Sequence, residues 1–167
     1  YDYIITNFRM RAILQNQPSQ DAEPALRTLR AAMSKLLVER MTPADIRAAA
    51  PDLADRFEQR FGPLDTFAGR HFSFHQELDA ADAWGAWQDY AGPVLVAHGE
   101  YDWVANLSDH ALATEIVERN GSDDATVFIA AGLDHGMTRH ESLQASFENA
   151  FRGEADDSFH NFALDWL

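Results

Sequence analysis

The sequence predicts a mixed α/β fold, with a mostly helical segment over residues 1–90 and a β-α-β-α-α unit over residues 91–167. Two apolar runs, Pro93–His98 and Ala125–Ala131, contain β-branched residues and are each followed by glycine, as is typical of strands buried in a parallel sheet. Apolar residues at helical spacing predict helices before, between and after these runs. At 167 residues, 46% of them hydrophobic, the chain can form a proper core.

Four helices are predicted in the first part of the chain. The first covers residues 1–16, and Pro18 prevents it from continuing. The second covers residues 22–40, with Asp21 as a cap. The third and fourth begin at Pro43 and Pro51, because proline is favoured in the first turn of a helix, and the fourth ends near residue 62. The second helix carries an apolar stripe that should be buried, formed by Leu26, Leu29, Met33, Leu36 and Leu37.

Aromatic residues are frequent between residues 64 and 90, where a further helix is predicted at Phe72–Ala80. We expect these rings to pack in the core; the alternative is that some of them line an apolar substrate pocket. His71 and His75 lie one helical turn apart, but no third ligand is near them in sequence, so we expect no metal site. The candidate substrate-binding residues of the chain are Trp103, Phe72, Phe74 and Trp84.

The second part of the chain alternates strands and helices. Helices are predicted over residues 107–120, 142–152 and 157–167, and strands at the two apolar runs. His98 lies inside the first strand, where we expect it to be packed in the core. Three further histidines are expected to lie on helices and to be solvated; they are His110, His140 and His160.

Composition limits the possible partners of the chain. A formal charge of −14 disfavours nucleic acid and anionic lipid surfaces, and no apolar run is long enough to span a membrane. The absence of cysteine removes disulfides and thiolate catalysis. No signal-peptide pattern is visible, and a first residue other than Met suggests processing or truncation. We expect a soluble protein, with a cytoplasmic location favoured and the compartment left open.

An acid and a histidine follow the two predicted strands. Asp102 comes just after the turn at Gly99, and His135 comes just after Gly132. Because the carboxyl ends of parallel strands share one sheet edge, we expect these two side chains to lie within hydrogen-bond reach. Such a pair can take a proton from a hydroxyl group, since the carboxylate orients the imidazole and stabilises its charged form.

These motifs also carry a family resemblance. The stretch Pro93-Val-Leu-Val-Ala-His-Gly-Glu-Tyr-Asp102, followed by Gly132-Leu-Asp-His-Gly136, resembles the last third of an α/β-hydrolase. The resemblance implies a partial α/β-hydrolase fold in which residues 1–90 form a helical cap. It implies that Asp102 is the triad acid and His135 the triad base, acting on an ester, amide or related acyl bond of a small molecule. It implies no cofactor.

The sequence departs from that family at the nucleophile. It contains no Gly-x-Ser-x-Gly motif and no glycine-rich oxyanion loop. We therefore expect the carboxy-terminal portion of a hydrolase, inactive alone, which binds its missing amino-terminal half or associates with itself. Asp134 has the glycine spacing of a nucleophile elbow, but an elbow needs later strands, and none is predicted after Gly136.

Other functions stay open at this point. One alternative is a non-catalytic helical binding or interaction domain that keeps the hydrolase-like sheet edge as a scaffold. Another keeps the family but changes the reaction, to that of an acyltransferase, a dehalogenase or an epoxide hydrolase, because a fold does not fix a function.

Overall fold

Helices make up most of the structure, and its strands form small sheets of two strands each, so the protein has a mixed α/β architecture. The structure is a computed structural model and describes residues 2–167. These residues form two compact units, of which the first ends at Asp82 and the second is Ala83–Leu167.

The amino-terminal unit is built from helices and one short hairpin. Helix α2 continues directly into a π-helical turn at Ser34–Val38. A hairpin of strands β1 and β2 pairs Thr66 with His71 in antiparallel register. The elements are α1 (Asp2–Leu14), α2 (Ser19–Met33), α3 (Pro43–Ala49), α4 (Pro51–Phe61), β1 (Thr66–Phe67), β2 (Arg70–His71) and α5 (Phe72–Ala80).

Helix α3 begins where the sequence predicts, at a capping box. The hydroxyl oxygen of Thr42 accepts a hydrogen bond from the Asp45 N–H at 3.2 Å, and the Asp45 carboxylate accepts one from the Thr42 N–H at 3.1 Å. Pro43 occupies the first turn, where its missing N–H is not needed. Helix α2 instead begins three residues earlier than predicted, so that Asp21 lies in its first turn and is not the cap.

The core of this unit forms around α2. All five residues of the predicted stripe are buried, and Phe57 of α4 is fully buried against the same cluster. Gln76 of α5 donates hydrogen bonds to the carbonyl oxygens of Leu36, at 2.8 Å, and Met41, at 3.1 Å. The side chain of Gln76 thereby satisfies backbone groups around the π-helical turn, where the regular helical bonding pattern is interrupted.

The carboxy-terminal unit contains the predicted parallel strand pair. Strand β3 pairs with β4 in register from Val94 with Ala125 to Gly99 with Ala130. Helix α7 makes the connection between them and packs on both strands. Helix α6 packs against α7, and the Asn120 side chain donates a hydrogen bond to the Trp87 carbonyl at 3.1 Å. The elements are α6 (Ala83–Gln88), β3 (Val94–Gly99), α7 (Leu107–Arg119) and β4 (Ala125–Ala130).

The segment after β4 differs from the prediction in two ways. The expectation of no strand after Gly136 is wrong, because β5 and β6 form a short antiparallel pair. Helix α8 ends three residues early, because Ala150 and Phe151 adopt positive φ angles of 46° and 69°, which a helix cannot accommodate. The elements are β5 (Thr138–Arg139), α8 (Leu143–Asn149), β6 (Glu154–Ala155) and α9 (Ser158–Trp166).

Helix α9 covers part of strand β4. Phe162 stacks on Phe128 with a centroid distance of 4.2 Å, and the Trp166 indole N–H donates to the Thr126 hydroxyl at 3.3 Å. Among residues 2–167, no helix combines the length and the apolar character that crossing a membrane would require.

Candidate active site

The site begins at Gly99, the last residue of β3. A Cβ atom at this position would lie 2.4 Å from the carbonyl oxygen of Asp134 and 2.6 Å from that of Leu133. The Tyr101 N–H donates to the same Leu133 carbonyl at 2.8 Å. Only glycine allows the two backbones to approach this closely, so Gly99 holds the loop after β3 against the loop after β4.

The two loops bring Asp102 and His135 into direct contact. Asp102 Oδ2 lies 2.8 Å from His135 Nδ1, which confirms the predicted hydrogen bond. The other oxygen, Oδ1, accepts hydrogen bonds from the N–H groups of Val104 at 2.7 Å and Ala105 at 2.9 Å. The Asp102 side chain is only 2% exposed, so these three contacts replace the water that an ionised carboxylate needs.

The contact fixes which ring nitrogen of His135 can act as a base. An ionised carboxylate only accepts hydrogen bonds, so the proton between Asp102 and His135 is on Nδ1. Nε2 then carries the lone pair. The His135 side chain is 49% exposed, and within residues 2–167 no group hydrogen-bonds to Nε2. The arrangement can therefore accept a proton from a hydroxyl group or water molecule placed at Nε2.

A second acidic residue shapes the loop that carries His135. Asp134 is fully buried, and its Oδ1 accepts hydrogen bonds from the N–H groups of Gly136 at 2.8 Å and Thr138 at 3.0 Å. Its Oδ2 lies 2.9 Å from the Thr138 hydroxyl and 2.8 Å from His140 Nε2. Burial by itself raises the pKa of Asp134, but the hydrogen bonds from Thr138, His140 and Gly136 together hold the pKa below its ordinary value.

This cluster corrects one sequence expectation. His140 lies between β5 and α8, not on a helix, and it is buried and not solvated. Asp134 itself makes turn hydrogen bonds, and its side chain is fully buried. His160 is exposed on α9 as predicted.

A pair of imidazoles lies behind Asp102. His98 is buried, as predicted, with its Nδ1 3.2 Å from Nδ1 of the half-buried His110 and 3.9 Å from Asp102 Oδ2. Burial lowers the pKa of His98; Asp102 opposes the shift, and His110 and His135 reinforce it. His98 is therefore a neutral imidazole near pH 7.

The lowered pKa of His98 predicts a pH-dependent stability. As the pH falls below about 6.5, the unfolded chain binds a proton at this residue before the folded chain does. Folding stability should therefore fall from about pH 7 to pH 5, by at most about 1.4 kcal/mol per pH unit for one proton. Chemical denaturation measured at several pH values should show this slope reduced in His98→Asn and unchanged in His160→Asn, an exposed control. Equal slopes in the two variants would contradict the role given to His98.

Aromatic rings lie beside the hydrogen-bonded Asp102 and His135. Trp103 is buried, stacks on Phe151 with a centroid distance of 5.1 Å and meets Phe147 edge-on at 5.2 Å. Phe151 is 38% exposed, and its ring centroid lies 6.1 Å from that of His135. Phe151 lies within the helix predicted over residues 142–152 and is not among the site residues predicted from the sequence. No local pattern marks the left-handed backbone that places it here.

The other predicted substrate-binding residues lie elsewhere along the chain. Phe72 packs at the margin of the amino-terminal core, and Phe74 is exposed with its ring beneath the Arg70 guanidinium. Trp84 is exposed on α6. A substrate-binding role for these three residues stays a prediction.

The two histidines considered for a metal have other partners. The His71 side chain accepts a hydrogen bond from the Ser73 N–H and caps helix α5. His75 Nε2 lies 2.9 Å from the Phe67 carbonyl oxygen, next to the β1–β2 hairpin. Both contacts serve the local structure of the amino-terminal unit.

Comparison of the chain with models of protein families, with curated proteins and with solved structures finds no match. The function is therefore inferred from the geometry of the site itself.

Proposed function

We propose that this chain supplies the acid and the base of a serine hydrolase of the α/β-hydrolase type, acting on an ester, amide or related acyl bond. One observation carries the proposal: the buried Asp102 carboxylate contacts the Nδ1 of the half-exposed His135 at 2.8 Å, at the carboxyl ends of two parallel strands, while no group within residues 2–167 hydrogen-bonds to Nε2. This is the geometry in which a carboxylate orients an imidazole for general-base catalysis.

In the proposed reaction, His135 Nε2 removes the proton from a serine hydroxyl as that oxygen attacks the acyl carbon. Asp102 stabilises the resulting imidazolium, and Nε2 then gives the proton to the leaving group. No hydroxyl group within residues 2–167 hydrogen-bonds to His135, and the sequence has no Gly-x-Ser-x-Gly motif. The proposal therefore assigns the serine and the oxyanion donors to a polypeptide segment outside this sequence.

The open sheet supports such a partner. In the part of the chain that the structure describes, β3 and β4 pair only with each other, so one edge of each strand has no strand partner. A sheet of two strands is marginal alone, and its free edges present backbone groups that another strand can pair with. We propose that an amino-terminal half of the hydrolase adds strands here. Self-association is the competing arrangement.

The test uses the protein encoded when the reading frame of this chain is extended upstream; we call this protein the extended product. The extended product should contain a Gly-x-Ser-x-Gly motif and should be labelled at that serine by a fluorophosphonate probe. His135→Ala should reduce labelling strongly, because the serine then lacks its base. His160→Ala is the matched control, since it removes an exposed histidine from α9 and should leave labelling unchanged.

Two results would contradict the proposal. The first is an upstream sequence without a nucleophile motif. The second is stoichiometric fluorophosphonate labelling of the isolated 167-residue chain, which should remain unlabelled because it lacks the nucleophile and its oxyanion donors.

A further inference from the structure

The ring of Phe151 lies beside the half-exposed imidazole of His135, the candidate base. It stacks on the buried Trp103 at an interplanar angle of 11°, so one face is covered by protein. The residue is still 38% exposed, and its ring centroid is 6.1 Å from that of His135. An aromatic surface supported from behind and open at the front is typical of the apolar part of a ligand site.

The backbone around Phe151 is strained. Ala150 and Phe151 both adopt positive φ angles, which cost free energy in residues with a Cβ atom. The Thr138 hydroxyl lies 3.5 Å from the Phe151 carbonyl oxygen and also contacts the Asp134 carboxylate. The loop of His135 and the strained segment of Phe151 thus come together at Thr138. Strain of this kind clusters at functional sites.

We infer that Phe151 determines specificity in the proposed reaction by binding an apolar, aryl-sized leaving group. The inference rests on the proposed function. In acyl transfer the imidazole returns its proton to the leaving group, so the atoms of that group lie next to His135 Nε2. The ring beside His135 therefore contacts the leaving-group side of the substrate. Trp103, predicted from the sequence to bind substrate, supports this ring from beneath.

Binding can be tested on the isolated chain with two alcohols that mimic small and aryl leaving groups. Benzyl alcohol should shift the NMR signals of the Phe151 ring and of His135 Cε1–H saturably, whereas ethanol at equal concentration should not. Phe151→Leu should weaken the binding of benzyl alcohol by about threefold to tenfold, the range of one aromatic contact. Phe159→Leu, which changes a ring that contacts Phe128, should leave it unchanged.

The folding of each variant is checked first by the retention of the Asp102–His135 hydrogen-bonded proton signal. If Phe151→Leu loses that signal, Phe151→Met serves as the second variant, because it keeps a long apolar side chain without the ring. Equal binding of benzyl alcohol by the wild-type chain and a folded Phe151 variant would overturn the inference. The hydrogen bond between Asp102 and His135 would be unaffected by that result.

The extended product gives a second measurement. The ratio of kcat/KM for a benzyl ester to that for the matched ethyl ester should fall by about threefold to tenfold in Phe151→Leu. An unchanged ratio in an active variant would overturn the inference and leave the proposed function standing. Failure of the proposed function is recognised separately, by fluorophosphonate labelling that does not depend on His135.

Discussion

If the proposed function holds, replacing Asp102 with asparagine should lower the kcat of the extended product by about 10⁴-fold, the size of loss seen when a triad carboxylate becomes an amide. The amide oxygen can still accept the hydrogen bonds from Val104 and Ala105 that Oδ1 accepts now. The amide nitrogen would then face His135 Nδ1 as a donor. Nδ1 would have to become the acceptor and Nε2 would carry the proton, which is the wrong tautomer for a base.

Two measurements separate this effect from a loss of structure. Steady-state hydrolysis of an ester by the extended product gives kcat, and ¹⁵N spectra of the isolated chain report which His135 nitrogen carries the proton. Asp109→Asn, a change in the first turn of α7, is the matched control and should alter neither. A variant at Asp102 that keeps more than about a tenth of the wild-type kcat would contradict the mechanism.

Replacing Gly99 with alanine should destabilise the carboxy-terminal unit by about 3 kcal/mol, near the upper end of the usual cost of overpacking. The added methyl group would meet the backbone of Leu133 and Asp134 at 2.4–2.7 Å, and backbone atoms cannot rotate away as a side chain can. Relief of the clash requires the loop after β3 to separate from the loop after β4. The hydrogen bond between Asp102 and His135 should be lost together with the stability.

Gly136→Ala is the control for this prediction. A Cβ atom at Gly136 would make only ordinary contacts, 3.4 Å from Asp134 Oδ1 and 3.7 Å from Phe151 Cβ, although the position lies in the same loop. Denaturant unfolding should therefore show a much smaller change for Gly136→Ala than for Gly99→Ala. Similar midpoints for the two variants would show that the close approach at Gly99 does not hold the site together.

The parts of the fold that the sequence predicts correctly depend on short-range patterns. The strand pair, the start of α3 and the stripe of α2 follow from apolar periodicity, proline position and capping residues. The contact between Asp102 and His135 follows from one further rule, that parallel strands end at the same edge of a sheet. Each of these patterns is complete within a few residues or within one β-α-β unit.

The parts that the sequence does not predict depend on contacts made through space. His140 is buried because the Asp134 carboxylate needs a partner in the interior, and nothing near His140 in sequence signals that need. The position of Phe151 depends on a left-handed backbone at Ala150 and Phe151, although neither residue is a glycine, which would favour that conformation. The β5–β6 pair joins two residues on each side, which is too short for any alternating pattern to show.

The crossover connection between β3 and β4 also sets the order in which the protein can fold. The parallel pair forms only after the segment containing α7 has closed, and closure costs chain entropy before the strands are paired. Asp102 and His135, 33 residues apart, meet at the end of that step. We therefore expect the acid and the base to come together only as β3 and β4 pair, and not before that step.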